Sequence, residues 1–139
     1  MTDTKRLTIY SDGAATPNPG PAGIGVALHD EKGGVVAEIS RYIGKATNNK
    51  AEFMALIAGL EEALRLGATA VDLKLDSELL VRQLQGTYRS KKMKQQYEQI
   101  RRLLGEFESY SVEHIPREKN KQADALSKKA IRRADTQGA

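Results

Sequence analysis

Cysteine and tryptophan are absent from this chain of 139 residues, histidine occurs twice, and only two Phe and five Tyr supply its aromatic rings. Without cysteine there is no disulfide framework, no thiolate metal site and no thiol nucleophile. No apolar run approaches the ~18 residues that a membrane span needs, and the N-terminal stretch "MTDTKRLTIYSDG" has no apolar signal core. The expectation from these absences is a cytoplasmic protein. A G-x-x-x-x-G-K-[ST] loop is also missing, which argues against nucleoside-triphosphate chemistry of the P-loop kind. Repeats, low-complexity tracts and an interdomain linker are lacking as well. One domain over residues 1–139 is therefore expected, with a core over about 5–131 and a frayed tail at 132–139.

What is present begins with charge. The net charge of +4 is unevenly spread: residues 1–85 carry nine Lys/Arg against eleven Asp/Glu, and residues 86–139 carry thirteen against seven. The first part is thus −2 and the second +6, an asymmetry that suits a polyanionic partner as well as it suits solvated helix faces.

Periodicity supplies the elements. "KRLTIYS" alternates as a strand over Arg6–Ser11, "AGIGVALHD" gives a second over Ala22–Asp30, and "VVAEISRYIG" a third over Val35–Gly44. Short Gly-bearing connections make these three an antiparallel meander. The period then changes: Phe53, Leu56, Ile57, Leu60 and Leu64 recur at three and four, predicting a helix capped by Asn48 or Asn49 and ended by Gly67. "AVDLKLD" (Ala70–Asp76) reads as a fourth strand and "SELLVRQLQG" as a short helix. "SKKMKQQYEQIRRLLGEF" reads as a basic amphipathic helix and "YSVEHI" as a fifth strand. "NKQADALSKKAIRRA" is predicted as a last helix, capped by Asn120, with Ala123, Leu126 and Ala130 inward. The order βββαβααβα predicts an α/β fold, a mixed sheet with helices packed on its faces.

Four carboxylates stand out by position. Asp12 and Asp76 each end a predicted strand, and parallel neighbouring strands would bring both to one sheet edge, where open α/β sheets bind ligands. Glu52 and Asp124 lie in the first turns of two predicted helices. Each alone has an ordinary explanation in turn chemistry or the helix dipole. Converging, they would repel one another unless a counter-cation joined them. An oxygen-only cluster suits Mg²⁺ or Mn²⁺, and two such ions can clamp the attacking and leaving oxygens of a phosphoryl displacement.

The strings "SDGAATPNPGPAGIG", "ATNNKAE", "LKLDSELLVRQL" and "HIPREKNKQADALS" resemble the type 1 ribonuclease H family, in order and spacing, from about Lys5 to Ile131. The resemblance implies a five-stranded mixed sheet flanked by helices. It also implies an endoribonuclease that cuts the RNA strand of RNA–DNA hybrids with two Mg²⁺, or Mn²⁺, leaving 5′-phosphate and 3′-hydroxyl ends. Asp12, Glu52, Asp76 and Asp124 match the family's catalytic, metal-binding acids, Asp12 bridging both ions with Glu52 and Asp76 on one and Asp124 on the other. Asn18 matches a residue that addresses the RNA 2′-hydroxyl side, Asn48 a minor-groove contact, Asn49 a residue facing the DNA strand, and Thr47 a residue that helps hold a DNA phosphate. On this reading Asp12 ends its strand to hold metal, and Gly13 with the "NPGPAG" loop lets the hybrid backbone approach. No protein partner or membrane is implied, and a monomer is expected.

Three features depart from the family pattern. The basic, Trp-bearing protrusion of many bacterial members is missing, leaving Arg89, Lys91, Lys92 and Lys94 as candidate phosphate contacts. His114 falls within a strand rather than on the loop before the last acid, so Arg117 is the candidate basic helper near the leaving phosphate. Glu78 stands where many members have Gln, and an acid cannot donate as an amide does. The alternatives to a nuclease acting on hybrids are a non-catalytic hybrid- or RNA-binding module, and another nuclease of the same superfold such as a junction resolvase.

Overall fold

The computed structural model describes residues 4–86 and 91–136. Five strands form one sheet: β1 (Arg6–Ala15), β2 (Gly20–His29), β3 (Val35–Ala46), β4 (Ala70–Leu75) and β5 (Ser109–His114), in the spatial order β3-β2-β1-β4-β5. β1 pairs antiparallel with β2 and parallel with β4. β2 pairs antiparallel with β3, and β4 parallel with β5. The helices are α1 (Asn48–Arg65), α2 (Glu78–Leu84), α3 (Lys94–Leu104) and α4 (Lys121–Thr136), with a 3₁₀ turn at Arg117–Lys119. The predicted order and the meander are those observed. α4 runs to Thr136, into the segment expected to fray. No helix among the described residues is long and apolar enough to cross a membrane.

One face of the sheet carries the main core. Leu7 and Ile9 of β1, Ile24, Val26 and Leu28 of β2, and Leu73 and Leu75 of β4 meet Phe53, Leu56 and Leu60 of α1 and Ile100 and Leu104 of α3, all of them buried. Each fully buried large aliphatic or aromatic side chain contributes about 1.5–3 kcal/mol relative to exposure, so this face anchors the fold. α1 starts at Thr47, whose Oγ1 accepts from the Lys50 N–H at 3.1 Å. The cap is therefore Thr47 and not Asn48 or Asn49. A hydroxyl in the extended conformation reaches the third N–H, while the two asparagines already lie inside the first turn.

α4 covers the other face of β1, β2 and β3 with small residues. Ala123, Ser127 and Ala130 are buried there, and a Cβ at Gly25 would lie 2.0 Å from the Ala123 carbonyl oxygen. Helix backbone on strand backbone is possible only because glycine is present. Leu126, expected to point inward, is half-buried, its inward place taken by Ser127.

β1 is longer than its sequence suggests. Asp12 does not end it: the strand runs on to Ala15, pairing Asp12 with Gly25 and Ala15 with Ala22. The Pro-rich loop shrinks to a hairpin closed by the Thr16 N–H donating to the Pro21 carbonyl at 2.9 Å. What ends near Asp12 is the other partner, because the last β1–β4 pair is Ser11 with Leu75. Beyond that pair one side of β1 is open, and that opening makes the site.

Candidate active site

Asp12 and Asp76 emerge where β1 and β4 part. Asp12 is one residue past the last shared pair and only 4% exposed, and Asp76 follows the end of β4. Ser77 then starts α2, its Oγ accepting from the Leu80 N–H at 3.2 Å. Glu52 reaches the same point from the first turns of α1. One carboxylate oxygen from each of Asp12, Glu52 and Asp76 lies within 4.8 Å of the others. The sheet edge is so placed that three acids on three elements share one spot.

Gly13 explains how α1 comes so near. A Cβ there would lie 2.2 Å from the Ala51 carbonyl carbon and 2.5 Å from the Glu52 nitrogen. Its missing side chain thus admits the helix that carries Glu52, a packing reason for glycine that the sequence alone does not give. The Gly13 N–H also donates to the Glu52 carboxyl.

The electrostatics of the three acids are unfavourable without a cation. Burial pushes the Asp12 carboxyl up to about 7; a hydrogen bond with Glu52 lowers it, and the charge of Asp76 raises it further. Glu52 is also raised well above its ordinary value, first by burial and then by Asp12. The buried Asp12 Oδ2 has no hydrogen-bond partner among the described residues. Carboxylates crowded together, with Asp12 and Glu52 pushed toward protonation and one Asp12 oxygen unsatisfied, are what a hard divalent cation would relieve. The residues present therefore fit a metal ion.

Asp124, in the first turn of α4, lies within hydrogen-bonding reach of Asp12 but outside that triad. It is lowered, in contrast: burial raises it, but hydrogen bonds with Asp12 and Lys128 and the charges of Lys128 and Arg117 outweigh that. Lys128 Nζ is 3.1 Å from Oδ2, and the Arg117 guanidinium 3.8 Å from Oδ1.

Asn120 is the residue whose role the sequence did not reveal. Its side chain does not cap α4. It is 1% exposed, and Nδ2 donates to the Ser11 carbonyl at 2.9 Å and to Asp76 Oδ2 at 3.2 Å. Its own carbonyl accepts from the Asp124 N–H at 3.1 Å. One residue thus ties β1, Asp76 and the start of α4 together. The only signal was an Asn four residues before an acid, which equally describes a helix cap.

The remaining candidates fall around this centre. Asn48, Asn49, Leu79 and Arg117 line the same depression as Asp12, Glu52 and Asp76. Asn48 Oδ1 accepts from the Ala15 N–H at 2.7 Å, and Asn18 Oδ1 from the Asn48 N–H at 3.0 Å, so the β1–β2 hairpin and the start of α1 are laced together. His114 is the last residue of β5, its Nε2 3.3 Å from the Asp76 carbonyl oxygen. Glu78 is turned to Arg82, 2.6 Å away. Lys91, Lys92 and Lys94 share a second depression with Lys50 of α1. Arg89 lies outside the described residues.

A mixed sheet in this order, with acids gathered where two parallel strands end, belongs to the ribonuclease H-like class of folds. Residues 10–130 match the family described as Reverse transcriptase-like. A "Ribonuclease HI" of Halobacterium salinarum is 42% identical over 128 residues, 91% of this chain and 64% of that protein. The crystal structure of RNase H1 from the same archaeon superposes with a TM-score of 0.90, covering 93% of this chain and 99% of that one. LC11-RNase H1, solved in complex with an RNA/DNA hybrid, is 44% identical with a TM-score of 0.87 over 92% of this chain and 98% of that one. The "Bifunctional protein Rv2228c" of Mycobacterium tuberculosis is 39% identical over 91% of this chain, which spans 35% of its length. The chain thus spans between about a third and two-thirds of these curated relatives, and it belongs to the type 1 ribonuclease H family.

Proposed function

We propose that this chain, as a single ribonuclease H domain, hydrolyses the RNA strand of RNA–DNA hybrids endonucleolytically, leaving 5′-phosphate and 3′-hydroxyl ends. The observation that carries the proposal is the convergence of Asp12, Glu52 and Asp76 at a sheet edge beside exposed Asn18 and Asn48. Two Mg²⁺ ions, or Mn²⁺, would supply an activated water and neutralise charge on the phosphate and the leaving 3′-oxygen. Asp12, between the other acids, would hold both ions, Glu52 and Asp76 one of them, and Asp124 the other. Asn120 holds Asp76 in place for this role. Arg117, exposed and beside Asp124, is suited to the leaving phosphate.

Around the centre, Asn18 and Asn48 would contact the 2′-hydroxyl side and the minor groove, and Asn49 and Thr47 the DNA strand. Lys91, Lys92 and Lys94, gathered with Lys50, would follow its phosphates in place of a protrusion, together with Arg89. Such contacts read groove shape, 2′-hydroxyls and phosphates, which suits a substrate of any sequence. A complete site within one chain supports a monomer. A cytoplasmic placement suits this substrate in a cell without a nucleus, since hybrids arise where DNA is copied and transcribed. A non-catalytic binding module is disfavoured by the same acids, because a binder of a polyanion gains nothing from converging carboxylates.

The test is cleavage of a labelled RNA strand in a hybrid with Mg²⁺ or Mn²⁺, beside single-stranded RNA, double-stranded RNA and DNA duplex. Metal-dependent, hybrid-selective cutting that vanishes in Asp76→Asn is expected. Retained hybrid binding without cutting in either metal would point to the binding module instead.

A further inference from the structure

The described exposed side chains of α4 are Lys121, Ala125, Lys128, Lys129, Arg132 and Arg133, five cations and one alanine. The other helices are surfaced differently. Exposed acids, Glu61 on α1, Glu78 on α2 and Glu98 on α3, stand among their exposed cations. Mixed signs are what solvation alone asks of a helix face, because i,i+4 pairs of opposite charge support the helix and like pairs repel. On α4, Lys129 and Arg133 stand at that spacing with one sign. The acids in its sequence are Asp124 and Asp135, near its two ends, and Asp124 answers Lys128. A face so one-sided is complementary to a polyanion.

The cations also have a direction. Spacings of seven and four put Lys121, Lys128 and Arg132 on one line, about 16 Å long at ~1.5 Å per residue. Beneath them, Ala123 lies on Gly25, the partner of Asp12, and Ser127 and Ala130 lie on Gly23, the partner of Ala14. The line therefore starts level with the carboxylates and runs toward the β1–β2 hairpin. It lies on the face of the sheet opposite α1 and α3, where the proposed function seats the hybrid. A DNA duplex is stiff over roughly 150 base pairs, and a hybrid held against α1 and α3 cannot also turn onto the outer face of α4. An unpaired strand can.

We infer that α4 guides unpaired RNA continuing from the hybrid, so that the preferred substrate is a hybrid whose RNA strand carries a single-stranded extension; this rests on the proposed function. The RNA strand is the one guided because it is the strand that crosses Asp12 and Asp124, where the row begins. α4 has no aromatic residue on which a base could stack. Its grip is therefore on phosphates alone, independent of sequence and sensitive to salt.

Binding is measured with an Asp76→Asn protein, which leaves the substrate whole. The hybrids share one paired region and are blunt, or carry about ten uridines at the 5′ or the 3′ end of the RNA, or about ten thymidines on the DNA strand, the scale of one single-strand binding site. An extension at one end of the RNA should tighten binding about tenfold at ~50 mM salt. It should also steepen the salt dependence by about 2 in log–log slope, the worth of roughly three phosphates, so that the gain is gone by ~200 mM. Extensions on the DNA strand should add nothing.

Lys121→Gln, Lys129→Gln and Arg133→Gln together should cut the gain to about twofold or less, leaving blunt-hybrid affinity and the melting temperature as in the parent. Ala125→Lys, which adds a cation within the row, should deepen the gain about two- to threefold, and it needs no charge removed from the helix. Equal binding of blunt and extended hybrids overturns the inference and leaves the proposed function standing. So does an equal gain from both RNA ends or from the DNA strand, a gain that survives the three substitutions, or one that Ala125→Lys does not change. Failure of the unsubstituted protein to bind or cut a blunt hybrid overturns the proposed function itself.

Discussion

The carboxylate centre and the asparagine rim lie side by side, yet they are built on opposite principles. At the rim, Thr47, Asn48 and Asn18 spend their acceptors on backbone N–H groups, and the hairpin and α1 are held without any ligand. At the centre, Asp12 and Glu52 are pushed toward protonation and the buried Asp12 Oδ2 lacks a partner among the described residues. The rim is satisfied in the free protein, whereas the centre is satisfied only by something added. Recognition can thus be preorganised cheaply on the surface, but a polyvalent metal site stores unfavourable electrostatics in the apo protein.

The largest effect that separates the two regions is expected from the acids. Asp76→Asn should reduce cleavage by more than ~100-fold, beyond what loss of an outer-shell partner costs a metal site, with hybrid affinity little changed. In Asp12→Asn, activity should likewise vanish, while the metal-free protein becomes more heat-stable at pH 8, because a buried charge has been removed. A loss of stability in Asp12→Asn under those conditions would show that the centre is not strained.

The same contrast has a pH signature. The Asp12 carboxyl ordinarily titrates at 3.8 and is raised to about 7 here. Between those values the folded protein holds a proton that the unfolded chain has released. Raising the pH through that window therefore destabilises the metal-free protein, by up to ~1.4 kcal/mol per pH unit for this one proton. Saturating Mg²⁺ takes the proton's place and should flatten the slope. Melting temperatures with EDTA and with Mg²⁺ across pH 5–8 measure it; parallel curves would remove Asp12 from the metal site.

Asn120 joins the two regions, since its Nδ2 holds Asp76 while its own buried Oδ1, like Asp12 Oδ2, has no partner among the described residues. Asn120→Ala should weaken Mn²⁺ binding, measured by calorimetry on the metal-free protein, by about 10- to 100-fold. A purely structural role would lower the melting temperature and leave the Mn²⁺ affinity of the folded protein intact.

Much of this molecule was legible beforehand because alternation and helical period report which face is buried. Phe53, Leu56 and Leu60, and the strand residues Leu7, Ile9, Val26 and Leu28, took the places their spacing implied. The acids were legible as positions, each at a boundary where the pattern changes. What stayed hidden depended on partners distant in sequence. From sequence alone β1 stops at Ser11, because "DGAATPNPG" reads as turn chemistry, whereas pairing with Gly25 and Ala22 carries it to Ala15. Gly13 answers to Ala51 across the helix–sheet gap. For Asn18, Asn48 and Asn120 the letter names an amide but not which end is used, and that choice is made by the Asn48 N–H for Asn18, by the Ala15 N–H for Asn48, and by Ser11 and Asp76 for Asn120.

The finest test lies within the centre, where Asp124 departs from its neighbours. Asp12 and Glu52 are raised, but Asp124 is lowered, in part by Lys128 one helical turn along. An i,i+4 ammonium at 3.1 Å already supplies the positive charge that a cation would bring. A metal ion held by Asp124 must compete with Lys128 or displace it, and the lysine end of the pair is exposed and free to swing into solvent. Lys128→Ala should therefore lower the Mg²⁺ concentration for half-maximal cleavage by about two- to fivefold, the worth of one surface ion pair. The expected shift belongs to the ion at Asp124, so it should be absent from the calorimetric Mn²⁺ titration of an Asp124→Asn protein with and without the lysine change. An unchanged Mg²⁺ requirement in Lys128→Ala would mean that Asp124 holds its charge for Arg117 and the substrate, and that the metal centre is complete with Asp12, Glu52 and Asp76.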